Sequence, residues 1–141
     1  MTPLEERLLR RAVEIAVRAR ADGYAPYGSL LAGPDGVVLA EAHNTVRADR
    51  DISAHPELKL ARWAARELDA ATAAATTMFT SCQPCGMCTG AIDRSGLGRV
   101  LYALSSEQHD ALTPGGGWPS VRQDGPALYE EARTAVDGYY T

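Results

Sequence analysis

The stretch 80-TSCQPCGMC-88 is predicted to end a strand and to start a helix that carries two cysteines. Cys85 and Cys88 stand three positions apart, and side chains at that spacing are neighbours on one helix face. The N-terminus of a helix also stabilises thiolates, the form in which cysteine binds a metal. The stretch therefore predicts a helix that begins near Cys85 and presents two metal ligands.

A second motif, His55-Pro56-Glu57, lies about thirty residues earlier, where another helix is expected to begin. One imidazole and two thiolates leave a tetrahedral zinc ion with an open fourth position, the mark of a catalytic site. A water in that position has its pKa lowered toward about 7. Glu57 lies near the metal without having to bind it, so it can take and return protons. We predict one Zn²⁺ per chain, held by His55, Cys85 and Cys88, with Glu57 as the catalytic residue.

Other interpretations of these residues stay open. A Cys-x-x-Cys pair can be a redox site or half of a structural zinc site. Cys82 is the nearby candidate for a fourth ligand, and it would close the metal site and abolish hydrolysis. The chain would then be a structural zinc-binding module in which Glu57 only caps a helix, but the position of Glu57 and the order of the motifs favour an enzyme. His109 lies outside both motifs, and we interpret it as a surface residue.

Hydrophobic spacing and turn residues outline the rest of the chain. A capping box at Thr2-Pro3-Leu4-Glu5 predicts a first helix that runs to about Arg20. Two short apolar runs, 29–32 and 37–40, flank Gly33-Pro34-Asp35-Gly36 and predict a hairpin. The elements expected after it are a helix from the His55 motif to about Leu68, a strand at about 76–80, the Cys85 helix to about 95, a strand at 99–104 and a short helix at about 126–136. Strand, helix and strand at this length predict that the last two strands are parallel.

Length and composition indicate one domain over residues 1–141, with the 45% hydrophobic and 23% charged residues of a globular protein. No apolar run approaches the roughly 18 residues that span a bilayer, and the first residues lack the features of a signal peptide. A cytoplasmic location without membrane contact is therefore expected, where thiols stay reduced. The net charge of -4 gives no cationic footprint for nucleic acid, which favours a small-molecule substrate.

At these motifs the chain resembles the cytidine deaminase-like superfamily, and within it the branch of free-base and tRNA adenosine deaminases. The resemblance runs from about Tyr27 to Leu104 and includes the His-x-Glu and Pro-Cys-x-x-Cys signature of zinc deaminases. It implies an α/β fold, a three-layer α/β/α sandwich with a mixed five-stranded sheet, assembled as a homodimer or larger homo-oligomer. It also implies a zinc-dependent hydrolytic deaminase that converts an exocyclic amino group to a carbonyl and releases ammonia.

The resemblance points to more than one substrate. Residues 80–85 are closest to the guanine deaminase form, whereas residues 88–92 are similar to a stretch of fungal cytosine deaminase. It therefore implies a free nucleobase or related amino-heterocycle that is guanine-, cytosine-, isoguanine- or triazine-like. A nucleoside or an adenosine in tRNA is the alternative, although tRNA would need a cationic surface that this acidic chain does not offer.

The resemblance also implies which residues line the substrate pocket. The asparagine of His43-Asn44 bonds the substrate ring in the family, although asparagine also suits turns. Pro84 belongs to the same pocket. The candidates to stack on the ring are the aromatic residues Tyr24, Tyr27, Trp118, Tyr139 and Tyr140. The glycine-rich segment 113–119, which carries Trp118, is either a lid over the pocket or a solvated surface loop.

Pro56 departs from the family pattern. Members usually carry alanine or glycine between the histidine and the glutamate, and the backbone amide of that residue faces the substrate ring. Pro56 has no amide hydrogen, although proline is tolerated in the first turn of a helix. A buried ring carbonyl left unpaired there costs about 1 to 3 kcal/mol, or roughly tenfold to a hundredfold in affinity. We therefore expect Pro56 to shift substrate preference away from cytosine and cytidine.

Overall fold

A four-stranded mixed sheet forms the centre of the fold in the computed structural model, which describes residues 1–113 and 121–140. The strands are β1 (Gly28–Ala32), β2 (Val38–His43), β3 (Thr77–Cys82) and β4 (Arg99–Leu104), in the spatial order β2-β1-β3-β4. Strand β1 pairs antiparallel with both β2 and β3, and β3 pairs parallel with β4. The predicted hairpin and the predicted parallel pair are both confirmed.

Seven helices accompany the sheet within the described residues. In chain order they are α1 (Pro3–Ala21), α2 (Val46–Asp49), α3 (Pro56–Glu67), α4 (Ala70–Ala75), α5 (Gly86–Ser95), α6 (Ser106–Leu112) and α7 (Tyr129–Thr134). The first helix begins with the predicted capping box, in which Glu5 N donates to Thr2 Oγ1 at 3.1 Å. The two helices expected at the metal motifs are α3 and α5, and both begin where the motifs predict.

The helices cover both faces of the sheet. On one face α1 packs with Leu30 and Phe79, and on the other α3 and α5 pack with Leu31 and Met78. Leu30 and Leu31 serve opposite faces because successive residues of a strand alternate in direction. The predicted three-layer α/β/α sandwich is confirmed, and its α3–α5 layer carries both metal motifs.

The chain leaves the sheet after β4, so the described residues contain four strands and not the five that the family resemblance implied. Ser105 starts α6 at that point, and its hydroxyl accepts a hydrogen bond from Gln108 N at 3.1 Å. The hydrophobic pattern did not predict this helix, nor the short helices α2 and α4. Helix α7 is shorter than the predicted segment 126–136, and residues 114–120 lie outside the described part of the chain.

The C-terminal segment 121–140 is exposed along its whole length and contributes no residue to the two core clusters. For this segment, membership of one domain over residues 1–141 stays a prediction. Throughout residues 1–113 and 121–140, no helix has the length and hydropathy to cross a membrane.

Candidate active site

Three side chains that can bind a metal meet where α3 and α5 begin. His55 is the N-cap of α3, Cys85 is the N-cap of α5, and Cys88 lies in the first turn of α5. The ring Nδ1 of His55 lies 3.7 Å from Cys85 Sγ and 3.5 Å from Cys88 Sγ. All three ligand atoms lie within 4.8 Å of one another. The fold therefore brings together the residues that the two motifs contribute.

These distances fit a tetrahedral zinc ion. Zinc binds a histidine nitrogen at about 2.1 Å and a thiolate sulfur at about 2.3 Å, which places the two ligand atoms about 3.6 Å apart in a tetrahedral site. The nitrogen–sulfur distances of 3.5 and 3.7 Å bracket that value. The side chains thus have the chemistry to hold zinc, and the imidazole–thiol distances suit it.

Cys82, the alternative fourth ligand, lies at the end of β3 and lines the same cavity as His55 and Cys85. Burial raises the pKa of its thiol, with a further contribution from the charge of Glu57. Its sulfur does not belong, however, to the set of ligand atoms that lie close enough to share an ion. Among the described residues the fourth position therefore stays open, as a catalytic zinc site requires.

The Cys88 thiol behaves differently from the expectation for a helix N-terminus. It is fully buried, and burial together with the nearby Glu57 carboxylate raises its pKa. The thiolate that the helix N-terminus was expected to stabilise is therefore disfavoured at this residue, because burial penalises the charged form. A divalent cation compensates for that penalty, so loss of the Cys88 proton is coupled to metal binding.

Glu57 lies beside the metal ligands without being one of them. Its side chain is only 6% exposed, and it lines the cavity over the ligand group. The carboxylate oxygen Oε1 accepts a hydrogen bond from Thr80 Oγ1 at 2.9 Å. The charge of the carboxylate also raises the pKa of the neighbouring Cys88 thiol. This is the position from which a carboxylate can exchange protons with a water at the open site.

A cavity of about 370 Å³ opens over the ligand group. This volume lies within the range of small-molecule sites, roughly 300 to 1,000 Å³. Tyr27, Asn44, Pro56 and Pro84, which were predicted to contact substrate, all line the cavity. Pro56 is fully buried as the first residue of α3, where the missing amide hydrogen costs the helix nothing. Trp118 falls within residues 114–120, outside the described part of the chain.

Asn44 fills the turn role that its sequence context suggested and has a side-chain donor left for the other suggested role, substrate binding. Its Oδ1 accepts a hydrogen bond from Val46 N at 3.0 Å, as a turn asparagine does. No described residue accepts from its Nδ2, which is not sealed from solvent, so this donor is available to the cavity. Lys59 Nζ donates to the carbonyl of His43 at 2.9 Å and to Thr45 Oγ1 at 2.6 Å. The residues on both sides of Asn44 are therefore tied to α3.

Helix α6 supplies a cavity wall that the motifs did not predict. It contributes Ser106, His109 and Asp110 to the lining. The Oη of Tyr27 lies 2.7 Å from Nε2 of His109, and Ser106 N donates to Gln83 Oε1 at 2.9 Å. The interpretation of His109 as a surface residue was therefore wrong. The capping box at the start of α6 is the sequence signal that indicates this helix, but it does not indicate where the helix packs.

An open three-ligand metal site beside a buried carboxylate, in a cavity of substrate size, defines a metal-dependent hydrolase. The chain belongs to the family of the cytidine and deoxycytidylate deaminase zinc-binding region, which it matches over residues 3–104. The resemblance seen in the motifs is confirmed by this match. Zinc is the cofactor of the family, and the chain is a hydrolytic deaminase that acts on a carbon–nitrogen bond.

The names of similar proteins assign them different bases as substrates. A probable cytosine deaminase of Schizosaccharomyces pombe is 33% identical over 128 residues, covering 89% of this chain and 72% of that protein. Guanine deaminase of Bacillus subtilis is 36% identical over 111 residues, covering 78% of this chain and 69% of that protein. A tRNA-specific adenosine deaminase of Haemophilus influenzae is 29% identical over 108 residues, covering 77% and 62%. An X-ray structure of Bacillus subtilis guanine deaminase matches with a TM-score of 0.74 at 26% identity, covering 96% of this chain and 92% of that chain.

Proposed function

We propose that this chain deaminates a free nucleobase or a related amino-heterocycle, and that His55, Cys85, Cys88 and Glu57 carry the reaction. The observation that supports this most directly is the close group of one imidazole and two thiols beside a buried carboxylate in one cavity. The relatives named for cytosine and guanine deamination cover most of the chain. They support a substrate that is guanine-, cytosine-, isoguanine- or triazine-like.

The reaction replaces an exocyclic amino group by a carbonyl oxygen. Zinc, when bound by the three ligands, would lower the pKa of a water in the open position. Glu57 takes one proton from the attacking water and donates it to the ring nitrogen beside the amino carbon, which makes this carbon more electrophilic. The water oxygen bonds to that carbon, Glu57 passes the remaining hydroxyl proton to the amino group, and the carbon–nitrogen bond breaks to release ammonia. Both proton transfers use one carboxylate, so activity depends on its placement.

The cavity lining supports a specific set of substrate contacts. Asn44 Nδ2 is the donor placed to bond an acceptor on the ring, and Pro56 offers no backbone donor on its side. Tyr27 and Pro84 provide apolar surface for the ring faces. Stacking by Trp118 stays a prediction. These contacts favour a base that needs no donor at the position of Pro56.

The charge of the chain favours a small molecule over tRNA. A deaminase of tRNA must hold phosphates through lysine and arginine, and it extrudes the target nucleotide before the reaction. This chain has 14 lysines and arginines against 18 aspartates and glutamates. A salt-dependent shift of tRNA by this protein in a native gel would support tRNA as the substrate. A nucleoside is the nearer alternative, since it needs no such surface.

We also propose that the protein works as a homodimer or larger homo-oligomer. The C-terminal segment 121–140 leaves large apolar side chains in water, including Tyr139 and Tyr140 at 77% and 84% exposure. A second copy of the chain would bury this surface. Light scattering on purified protein tests the assembly, and a mass that stays monomeric at all concentrations contradicts it.

The three free cysteines fit a reducing compartment such as the cytoplasm.

The test of function is ammonia release from cytosine, guanine, isoguanine, aminotriazines, cytidine and adenosine, with zinc measured on the same sample. We expect about one zinc per chain and turnover of at least one free base. Turnover of nucleosides alone selects the alternative. Zinc-loaded protein that releases no ammonia from any of them overturns the proposal and favours a structural zinc module.

A further inference from the structure

Two buried hydroxyls on neighbouring strands form a hydrogen-bonded chain to the carboxylate of Glu57. Thr80 Oγ1 donates to Glu57 Oε1 at 2.9 Å, and Ser29 Oγ donates to Thr80 Oγ1 at 2.7 Å. Ser29 Oγ also lies 3.4 Å from the same carboxylate oxygen. Ser29 and Thr80 are paired residues in the antiparallel register of β1 and β3, and both are 0% exposed. One oxygen of the carboxylate is therefore anchored to the centre of the sheet.

Toward the N-terminal end of β3, the hydroxyl pair borders an apolar part of the core. The next cross-strand pairs along β1 and β3 are Leu30 with Phe79 and Leu31 with Met78. A buried hydroxyl without a partner costs roughly 1 to 3 kcal/mol, whereas an apolar side chain has no such requirement. Both hydroxyls are satisfied here only because they form a chain that ends on Glu57. The pair is thus matched to the carboxylate and not to the general packing of the sheet.

We propose that Thr80, supported by Ser29, is the positioning residue of the acid–base carboxylate, a role that rests on the deamination proposed above. The Thr80 hydroxyl hydrogen occupies Oε1, so Oε2 is the oxygen left to receive and donate the transferred proton. The anchor also limits rotation of the carboxylate about its last carbon–carbon bond. Oε2 therefore keeps its direction toward the cavity during the two proton transfers.

Replacement of Thr80 by valine tests this role, because it removes the hydroxyl while keeping the shape of the side chain. We expect Thr80→Val to lower kcat about tenfold to a hundredfold, with KM within about twofold and zinc content unchanged. Thr80→Ser restores the hydroxyl and should recover kcat to within about threefold. Ser29→Ala should lower kcat less, by about threefold to tenfold, because Thr80 keeps its own bond to Glu57.

Thr76→Val is the matched control. Thr76 is also buried, but its hydroxyl donates to Thr72 O at 2.8 Å, away from the cavity. This variant should keep the kcat of the wild type. Equal losses in Thr76→Val and Thr80→Val, or a Thr80→Ser variant as slow as Thr80→Val, would assign the hydroxyl a structural role and overturn the proposal.

Three further outcomes decide the proposal. A wild-type kcat in zinc-loaded Thr80→Val overturns the positioning role alone, because the enzyme is then still a deaminase. A wild-type protein that deaminates nothing overturns the proposed function and the positioning role together. If Thr80→Val does not fold, Ser29→Ala decides instead, and a wild-type kcat in that variant overturns the role.

Discussion

The phenol oxygen of Tyr27 lies 2.7 Å from Nε2 of His109, and this hydrogen bond ties α6 to the residue that precedes β1. The two rings are tilted by 53° with their centroids 5.6 Å apart. Burial raises the pKa of Tyr27, so the phenol keeps its proton at neutral pH and can donate it to the imidazole. Because both residues line the cavity, their bond fixes the wall that α6 contributes.

Removing either partner of this bond should weaken substrate binding and leave the chemical step largely intact. We expect Tyr27→Phe and His109→Phe each to raise KM by about threefold to tenfold, with kcat within about twofold, the range of one hydrogen bond. The double variant should be no worse than either single one, since both remove one interaction. A double-mutant cycle on KM checks this, and independent, additive losses would show that the two residues do not act together.

Asn44 should be sensitive to loss of its donor even when its turn is kept. Asn44→Asp retains an oxygen that can accept from Val46 N, but it replaces Nδ2 by an acceptor. We expect KM to rise by about tenfold to a hundredfold, while the melting temperature stays near that of the wild type. Asn44→Ala should lose both binding and stability. Unchanged KM in Asn44→Asp would remove Asn44 from the substrate site.

Pro56 should set substrate preference. Pro56→Ala restores a backbone donor at the first position of α3, where alanine is readily accommodated. We expect cytosine turnover to gain about tenfold or more relative to the best wild-type substrate, as one recovered hydrogen bond allows. Relative kcat/KM across cytosine, guanine, isoguanine and aminotriazines measures the shift. The same ranking of substrates in both proteins would contradict a role for Pro56.

Zinc affinity should rise with pH. Burial and the Glu57 charge raise the pKa of the Cys88 thiol above its ordinary value, so at neutral pH this thiol holds a proton that zinc must displace. Lowering the pH by one unit should therefore weaken zinc binding by about tenfold for each proton released. Competition with a chromophoric chelator between about pH 6 and pH 8 measures the slope. An affinity independent of pH in this range would show that the thiol is already ionised.

The metal site could be predicted from sequence because each of its motifs is local. His55 and the two cysteines stand where helices begin, and the number and type of ligands follow from zinc chemistry. The hairpin could be predicted from its turn residues, and the β3–α5–β4 crossover from the lengths of its strands and helix. These elements place each motif at the start of a helix, and the pairing of β1 with β3 then brings the two helices to one face of the sheet.

The missed features depend on contacts between distant parts of the chain. Tyr27 and His109 are 82 residues apart, and Ser29 and Thr80 are 51 apart in sequence. Their meeting depends on strand order and register, which no local pattern encodes. The prediction of a fifth strand rested on the family resemblance and not on the residues of this chain. After β4, the capping box at Ser105 starts helix α6 instead. The pKa of Cys88 likewise follows from burial in the assembled fold.

Ammonia release by zinc-loaded Glu57→Gln, measured beside the wild type, tests whether Glu57 is the acid and base of the reaction. Glutamine keeps the size of the side chain and an oxygen that can accept from Thr80 Oγ1, but it cannot carry a proton between water and substrate. We expect zinc content equal to that of the wild type and a kcat lower by about 10²-fold to 10⁴-fold. A zinc-loaded Glu57→Gln protein with wild-type kcat would contradict the assignment of Glu57 as acid and base.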